Sequence, residues 1–179
     1  GRKSREGVKV SSYRGRFAPS PTGPLHLGSL LAAVASWADA RAAGGQWLVR
    51  IEDIDPPREQ PGASAAILEL LSAIGLDSDE PVMWQSRRSA AYDAALAQLL
   101  AAGLAFECRC SRSGLQPTGG IHRGTCVASD SSRQPAIRLR VPEVRIAFED
   151  RIQGPQAQSL RAAVGDFVWY DVDGDGIQD

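Results

Sequence analysis

The first half of the chain alternates between short apolar runs and longer segments in which apolar residues recur every three or four positions. Residues 15–18 form a short apolar run, residues 29–43 have the helical spacing, and residues 46–51 are rich in strand-forming side chains. Gly44-Gly45 is a typical helix end. A strand, a crossover helix and a second strand predict a parallel sheet. The helix face expected in the core consists of Leu30, Leu31, Val34, Trp37, Ala38 and Ala42.

The same two patterns continue to residue 108. A second helix is predicted over residues 62–74, followed by an acidic loop and a short strand over residues 76–84. A serine-capped third helix is predicted to end at Gly103, and residues 105–108 form another strand. The core face expected for the second helix consists of Ile67, Leu68, Leu70, Leu71 and Ile74.

Strict alternation of apolar and polar residues returns between residues 135 and 150. Its two halves predict a β-hairpin that turns across Pro142-Glu143. Residues 165–168 are predicted as a last strand. The alternating apolar residues are Ile137, Leu139, Val141, Val144, Ile146 and Phe148.

The chain of 179 residues is 43% hydrophobic and 23% charged, which is typical of a soluble globular protein. No run approaches the ~18 apolar residues of a membrane span, and the first residues lack the apolar stretch of a secretory signal. We expect four segments. They are a flexible N-terminal extension (1–14), an α/β half-domain (15–107), an insertion with a subdomain (108–164) and an atypical acidic tail (165–179).

Charge and cysteine content refine this picture. The formal net charge is −1, but residues 165–179 hold five aspartates, and the rest of the chain has 20 basic against 16 acidic groups. This excess of basic groups is compatible with binding to a polyanion, but it is too small to indicate a basic patch. An odd number of cysteines, without a signal peptide, indicates the reducing cytoplasm rather than a disulfide framework.

The segment of residues 16–29 joins the first strand to the first helix. Its prolines stiffen the backbone, and Gly23 and Gly28 permit sharp turns and close approach of a ligand. Backbone N–H groups and the helix dipole at Ser29 favour an anion, and His26 lies at the entrance. On spacing alone, an ordinary strand–helix connection with a surface histidine explains the segment at least as well.

Acidic residues follow the second strand, at Glu52, Asp53 and Asp55. Ligands of parallel α/β sheets bind beyond the carboxyl ends of the strands, so this segment and residues 16–29 are expected at one rim. A solvated loop ended by Pro56-Pro57 is the alternative explanation.

A glycine-rich loop carries a candidate metal site. Cys108, Cys110, His122 and Cys126 provide three thiolates and an imidazole, which satisfy tetrahedral Zn²⁺ with no open position. Zn²⁺ would replace the hydrophobic core that so small a loop lacks, and the site would be structural. Free cysteines remain the alternative, because Cys-x-Cys is a less usual zinc spacing than Cys-x2-Cys.

Two motifs identify a family resemblance. Phe-Ala-Pro-Ser-Pro-Thr-Gly at residues 17–23, followed by His-Leu-Gly-Ser at residues 26–29, resembles the first signature of class I aminoacyl-tRNA synthetases in its glutamyl form. Ser29 departs from the general pattern, which ends in His. The resemblance implies an α/β fold, the first half of a Rossmann-like class I catalytic domain, with a zinc-binding insertion.

The resemblance also implies roles for individual residues. His26, Gly28 and Ser29 would be catalytic, stabilising charge on the phosphates of ATP, which binds with Mg²⁺. Glutamate would contact Arg16, Phe17, Ala18, Pro19, Ser20 and Glu52. ATP would contact Pro19, Thr22, Gly23, His26, Gly28 and Ser29.

The sequence of residues 54–59 resembles one branch of this family, in which the acceptor is queuosine in the anticodon of tRNA(Asp). That branch carries a zinc insertion matching Cys108, Cys110, His122 and Cys126, although Tyr is frequent where this chain has His122. The implied reaction joins L-glutamate to ATP and transfers the glutamyl group to queuosine. A monomer acting in the cytoplasm is expected. An ordinary glutamyl-tRNA synthetase fragment and a non-catalytic zinc-stabilised module that binds nucleotide or RNA are the alternatives.

The last residues fit this family poorly. Residues 165–179 resemble the opening of calcium-binding repeats of bacterial adhesins, with Asp171, Asp173 and Asp175 at the spacing of a calcium loop. We expect a chimeric or misassembled end there. No lysine follows Lys9, so the lysine-bearing second signature of class I synthetases is absent. This chain is therefore expected to be poorly active.

Overall fold

The computed structural model describes residues 13–111, 113–124, 126, 134–171 and 176–177. Asp173 and Asp175, and with them the predicted calcium spacing, lie outside these residues. The chain forms two compact units that divide between Ser89 and Ala90, earlier than the expected boundary after residue 107. Within the described part of the chain, no helix has the length and apolar character needed to cross a membrane.

The first unit is built on a three-stranded parallel sheet with strand order β1-β2-β3. This arrangement confirms the parallel sheet predicted from the strand–helix–strand pattern. A short 3-10 helix, Gln85–Arg88, follows the third strand. The elements are β1 (Arg14–Phe17), α1 (Leu27–Ala42), β2 (Gln46–Ile51), α2 (Ala63–Ala73) and β3 (Met83–Trp84).

The core of the first unit lies between the sheet and its helices. The Phe17 and Trp47 rings stack with centroids 6.4 Å apart, and Ile51, Ile67 and Leu71 are also buried there. Burial of such side chains is the main term that stabilises the unit. Ile67 and Leu71 confirm part of the predicted α2 face, whereas Leu70 and Ile74 are exposed.

The predicted core face of α1 is largely wrong. Leu31 and Val34 are 68% and 45% exposed, and the residues of α1 that are buried are Ala33 and Ala40. The reason is close packing against β1: a Cβ built on Gly15 would lie 3.1 Å from the Ala40 Cβ. At that distance only small side chains fit between α1 and β1. The size of the side chains, rather than their hydrophobicity, therefore determines which face of α1 is buried.

The second unit combines helices with antiparallel strands. One sheet has the order β4-β5-β8-β9, and β6 pairs with β7 separately. The elements are α3 (Ser89–Ala101), β4 (Ala105–Cys108), β5 (Ala136–Leu139), β6 (Arg145–Asp150), β7 (Gly154–Ser159), α4 (Leu160–Ala163), β8 (Val168–Asp171) and β9 (Gly176–Ile177). The last strand predicted, residues 165–168, therefore begins later than expected.

The predicted hairpin across Pro142-Glu143 is wrong. Both edges of β5 are occupied, by β4 and β8, so β5 does not pair with β6. Instead β6 turns back into β7, and Asp150 Oδ1 accepts the N–H groups of Ile152 at 2.8 Å and Gln153 at 2.7 Å. The hydrogen bond from Gln153, and to a smaller extent that from Ile152, holds the pKa of Asp150 below its usual value.

Candidate functional site

The loop between β1 and α1 forms a cavity of about 440 Å³. Its lining contains every residue between 17 and 29 that the sequence predicted to contact glutamate or ATP. Two further predicted residues, Arg16 and Glu52, do not line it. The lining residues are Phe17, Ala18, Pro19, Ser20, Thr22, Gly23, Pro24, Leu25, His26, Gly28, Ser29 and Ala32.

His26 caps the N-terminus of α1. Its Nδ1 accepts the backbone N–H of Ser29 at 3.2 Å, and its Nε2 lies 3.1 Å from the Ser29 hydroxyl. An Nδ1 that accepts leaves Nε2 as the protonated nitrogen, able to donate to that hydroxyl. His26 thus accepts a hydrogen bond from a backbone N–H group at the helix N-terminus, a group that could otherwise bind an anion.

The two glycines of the loop serve different purposes. Gly23 has φ +148°, a conformation that side chains other than glycine rarely adopt. Gly28 lies inside the first turn of α1, because the helix begins at Leu27 rather than Ser29 as predicted. A Cβ on Gly28 would lie 3.0 Å from Cε1 of His26, so this glycine permits the close approach of the His26 ring rather than a sharp turn.

The segment after β2 is joined to this loop through the backbone. The Glu52 N–H donates to the Pro19 carbonyl at 3.0 Å, and the Gln60 N–H donates to the Pro21 carbonyl at 2.9 Å. The two segments therefore meet at one rim of the sheet, as predicted. Arg16 lies on the exposed face of β1, opposite the buried Phe17.

Glu52, which directly follows β2, is paired with an arginine of that strand. Arg50 Nε donates to Glu52 Oε1 at 3.1 Å, and Arg50 Nη2 contacts the same oxygen. Both side chains are mostly buried, with 23% and 13% exposure. The sequence assigned a role to Glu52 but none to Arg50, although a spacing of two residues at the end of a strand directs both side chains to the same side.

Asp53, after the second strand, is hydrogen-bonded to Ser86, after the third strand. Ser86 donates its backbone N–H to Asp53 Oδ1 at 2.9 Å and its hydroxyl to Oδ2 at 2.6 Å. Beside them, Gln85 is buried, and its Oε1 has no hydrogen-bond partner among the described residues. The sequence assigned Gln85 no role and indicated Ser86 only as a possible cap of the third helix. The signal was their position directly after the third parallel strand, at the edge where ligands bind.

Three of the four predicted metal ligands come together in the second unit. The sulfur atoms of Cys108, Cys110 and Cys126 all lie within 4.8 Å of one another. Cys126 Sγ is 3.9 Å from Cys108 Sγ and 3.5 Å from Cys110 Sγ, close to the ~3.8 Å that tetrahedral Zn²⁺ with ~2.3 Å bonds to sulfur requires. The Cys110 N–H lies 3.4 Å from Cys108 Sγ, a contact that stabilises a thiolate.

His122 lies outside that close group of sulfur atoms, although the sequence predicted it as the fourth ligand. Its ring is buried, packs 5.4 Å from the Phe106 ring between centroids, and has Nδ1 3.2 Å from Asp166 Oδ2. Its Nε2 has no hydrogen-bond partner among the described residues. A buried imidazole nitrogen without a partner and three adjacent thiols fit the donor set of zinc.

Comparison with known proteins agrees with this architecture. Residues 12–165 match the family model of the catalytic domain of class I tRNA synthetases (E and Q). The structure is similar to the crystal structure of a glutamate tRNA ligase from Elizabethkingia meningosepticum in complex with its amino acid. The TM-score is 0.74 at 28% identity, over 91% of this chain and 39% of that one.

Relatives with higher identity are named glutamyl-Q tRNA(Asp) synthetase. The protein of Xanthomonas campestris pv. campestris (strain 8004) is 58% identical over 163 residues, 90% of this chain and 54% of the relative. That of Pseudomonas aeruginosa (strain LESB58) is 56% identical over 166 residues, 92% of this chain and 57% of the relative. The chain thus spans about half the length of these relatives. It belongs to the family of class I glutamyl- and glutaminyl-type tRNA synthetases, whose catalytic domain it matches over residues 12–165.

Proposed function

We propose that the full-length protein activates L-glutamate with ATP, releasing pyrophosphate, and transfers the glutamyl group to queuosine in the anticodon of tRNA(Asp). The backbone hydrogen bond from the Glu52 N–H to the Pro19 carbonyl supports this proposal most directly, because it joins the segment that carries Glu52 to the loop that lines the cavity at the start of α1. The names of the relatives at 56–59% identity support the choice of acceptor. ATP, glutamate and the modified tRNA are the proposed partners, and a cytoplasmic monomer is the proposed state.

Glutamate binds at the end of the sheet in this proposal. The Glu52 carboxylate binds the α-ammonium group of glutamate, and the Arg16 guanidinium forms a bidentate pair with a carboxylate of glutamate. Arg16 is exposed, and its guanidinium has the reach of a long side chain. Phe17, Ala18, Pro19 and Ser20 form the cavity wall against which the substrate packs.

ATP binds at the N-terminus of α1. Gly28 and Ser29 present backbone N–H groups of the first helical turn, and the helix dipole favours the phosphates. His26 changes partners when the phosphates arrive, releasing the Ser29 N–H and donating its own N–H to the developing charge. Pro19, Thr22 and Gly23 line the same cavity. Mg²⁺ bound with ATP would supply further neutralisation of the phosphates.

Cys108, Cys110, His122 and Cys126 would hold a structural zinc ion in the second unit. Three sulfur ligands and one nitrogen leave no open position, so the metal orders the loop rather than catalysing a reaction. Purified protein should contain about one zinc per chain. Less than half an equivalent would contradict the site.

Glutamate-dependent exchange of pyrophosphate into ATP tests the activation step in the full-length protein. We expect exchange with glutamate, and at least a tenfold loss in His26→Ala, because one charge-assisted contact of the transition state is removed. Exchange that His26→Ala leaves unchanged would contradict the role of His26. Absence of exchange in the unmodified protein would favour a non-catalytic nucleotide- or RNA-binding module.

A further inference from the structure

Asp166, in the second unit, is an acid to which the sequence assigned no role. The side chain of Asp166 is fully buried. Its Oδ1 accepts the backbone N–H of Val141 at 2.9 Å and lies 3.3 Å from Arg161 Nη1. Its Oδ2 lies 3.2 Å from His122 Nδ1, and its backbone N–H donates to the His122 carbonyl at 2.8 Å.

These contacts decide which nitrogen of His122 carries the proton. The Gly124 N–H also approaches Nδ1, at 3.3 Å, but one nitrogen cannot accept from Gly124 and donate to Asp166 at once. A carboxylate that is ion-paired with Arg161 only accepts, so an unprotonated Nδ1 would set two lone pairs against each other at 3.2 Å. The Nδ1–H tautomer, donating to Asp166, avoids that repulsion.

This tautomer leaves Nε2 as a bare lone pair. Nε2 is buried and has no partner among the described residues, and a buried acceptor without a partner costs free energy. A metal ion is an electron-pair acceptor that would satisfy it. The three sulfur atoms within 4.8 Å of one another supply the remaining ligands of such an ion.

We propose that Asp166 is the positioning residue of the metal site: it holds His122 Nδ1–H so that Nε2 is free to bind zinc. The inference rests on the zinc site proposed above and extends it to a residue 44 positions away in sequence. Because His122 lies outside the close group of sulfur atoms, Nε2 and the three sulfur atoms would have to approach one another to share an ion. Asp166 anchors the ring during this movement through its bonds to the backbone of residues 122 and 141.

Gly165 makes this anchoring possible. A Cβ built on it would lie 2.3 Å from the His122 carbonyl oxygen, and its φ is +70°. Glycine is therefore needed for the chain to pass this close to the backbone of His122. The Gly165-Asp166 pair is thus an integral part of the fold of the second unit, although residues 165–179 as a whole were expected to be an atypical tail.

The tautomer can be measured in the unmodified, zinc-loaded protein by long-range ¹H–¹⁵N correlation of the histidine side chains. We expect His122 to have a protonated Nδ1 and a metal-bound Nε2. A metal-bound Nδ1 or a protonated Nε2 would overturn the proposal, because Asp166 could then not act as described. This experiment needs no variant, so it remains decisive if substitution of the buried carboxylate prevents folding.

Asp166→Asn tests the same point by affinity. The amide keeps an acceptor oxygen for Val141 N–H but can donate to Nδ1, which forces the proton onto Nε2. Competition with a chromophoric chelator should show zinc affinity 10–100-fold weaker than in the unmodified protein. The Co²⁺-substituted variant should have the ligand-field spectrum of His122→Ala, and the double variant should bind no more weakly than His122→Ala alone.

Asp150→Asn is the control, because the Asp150 carboxylate likewise accepts backbone N–H groups in the second unit, from Ile152 and Gln153, but has no hydrogen bond to a proposed ligand among the described residues. It should bind zinc like the unmodified protein. An Asp166→Asn affinity within threefold of the unmodified protein, with His122→Ala weakened, would overturn the role of Asp166 alone. Zinc binding that survives Cys108→Ser would instead contradict the metal site itself.

Discussion

Arg50 and Glu52 form an ion pair in which both guanidinium contacts go to a single carboxylate oxygen, Oε1. The pair is at the end of β2, and the Glu52 N–H is bonded to the Pro19 carbonyl. A carboxylate bound through one oxygen is held in place while its other oxygen stays available to a cation. In the proposed function, Arg50 would therefore orient Glu52 toward the α-ammonium group of glutamate.

Replacing Glu52 tests that contact. Glu52→Gln in the full-length protein should raise KM for glutamate about 10–100-fold in pyrophosphate exchange, because a hydrogen bond to a charged group contributes about 1.5–3 kcal/mol. KM for ATP should change little. Glu69→Gln, an exposed carboxamide substitution on α2, is the control and should leave both constants unchanged. An unaltered KM for glutamate in Glu52→Gln would remove this residue from the site.

Gly28→Ala should act through His26. The added Cβ would lie 3.0 and 3.1 Å from two ring atoms of His26, so the ring must shift by a few tenths of an ångström from its position at the helix start. We expect at least a tenfold loss of exchange, with the helix itself retained because Ala is the better helix former. In a Gly28→Ala/His26→Ala double variant the loss should equal that of His26→Ala. Fully additive losses would contradict the coupling.

Much of the first unit could be predicted from sequence. The strand over residues 46–51, the parallel pairing and the meeting of two loops at one rim follow from local pattern and the handedness of such connections. The buried face of α1 could not be predicted. Its contact with β1 selects Ala33 and Ala40 by size, and size constraints depend on the neighbouring strand rather than on the helix sequence.

Asp79 links the end of α1 to the start of β2, and this link should depend on pH. Two bonds from Arg41 and one from the Trp47 N–H hold the pKa of Asp79 below its ordinary value of 3.8. The stabilisation is fully present above the unfolded pKa and is lost as the pH falls through the lowered folded value. Asp79→Asn should reduce the free energy of unfolding by about 1 kcal/mol at pH 7.

Urea denaturation of the chain between pH 7 and pH 3 checks this expectation. The difference between Asp79→Asn and the unmodified protein should shrink below about pH 4, where the carboxylate becomes protonated. Asp77→Asn, at an exposed neighbouring position, should have no comparable effect. A difference that stays constant over this range would show that the ionised carboxylate is not responsible.

The adjacent glycines after α1 should differ sharply in their tolerance of alanine. A Cβ on Gly45 would lie 2.4 Å from the Tyr13 carbonyl oxygen, whereas a Cβ on Gly44 meets no atom within 4 Å. Gly45→Ala should lower the free energy of unfolding by about 3 kcal/mol through overpacking. Gly44→Ala should cost about 1 kcal/mol, through its φ of +63°. Equal losses in urea denaturation would contradict the close approach at Gly45.

The second unit was harder to predict. Alternation identified strands near residues 136–139 and 145–150, but it contains no information about which edges pair. Cysteine spacing indicated the cluster of Cys108, Cys110 and Cys126, which are separated by up to 18 residues. Asp166 was missed because its partner His122 lies 44 residues away, a contact that tertiary packing creates.

The acceptor of the glutamyl group is the central point of the account. The full-length protein should be incubated with radiolabelled glutamate, ATP and either tRNA(Asp) bearing queuosine or tRNA(Glu), and the labelled RNA then digested to locate the label. We predict that the label is found on the queuosine of the tRNA(Asp) anticodon and is absent from tRNA(Glu). Label on the 3′-terminal adenosine of tRNA(Glu) would contradict the account and identify an ordinary glutamyl-tRNA synthetase.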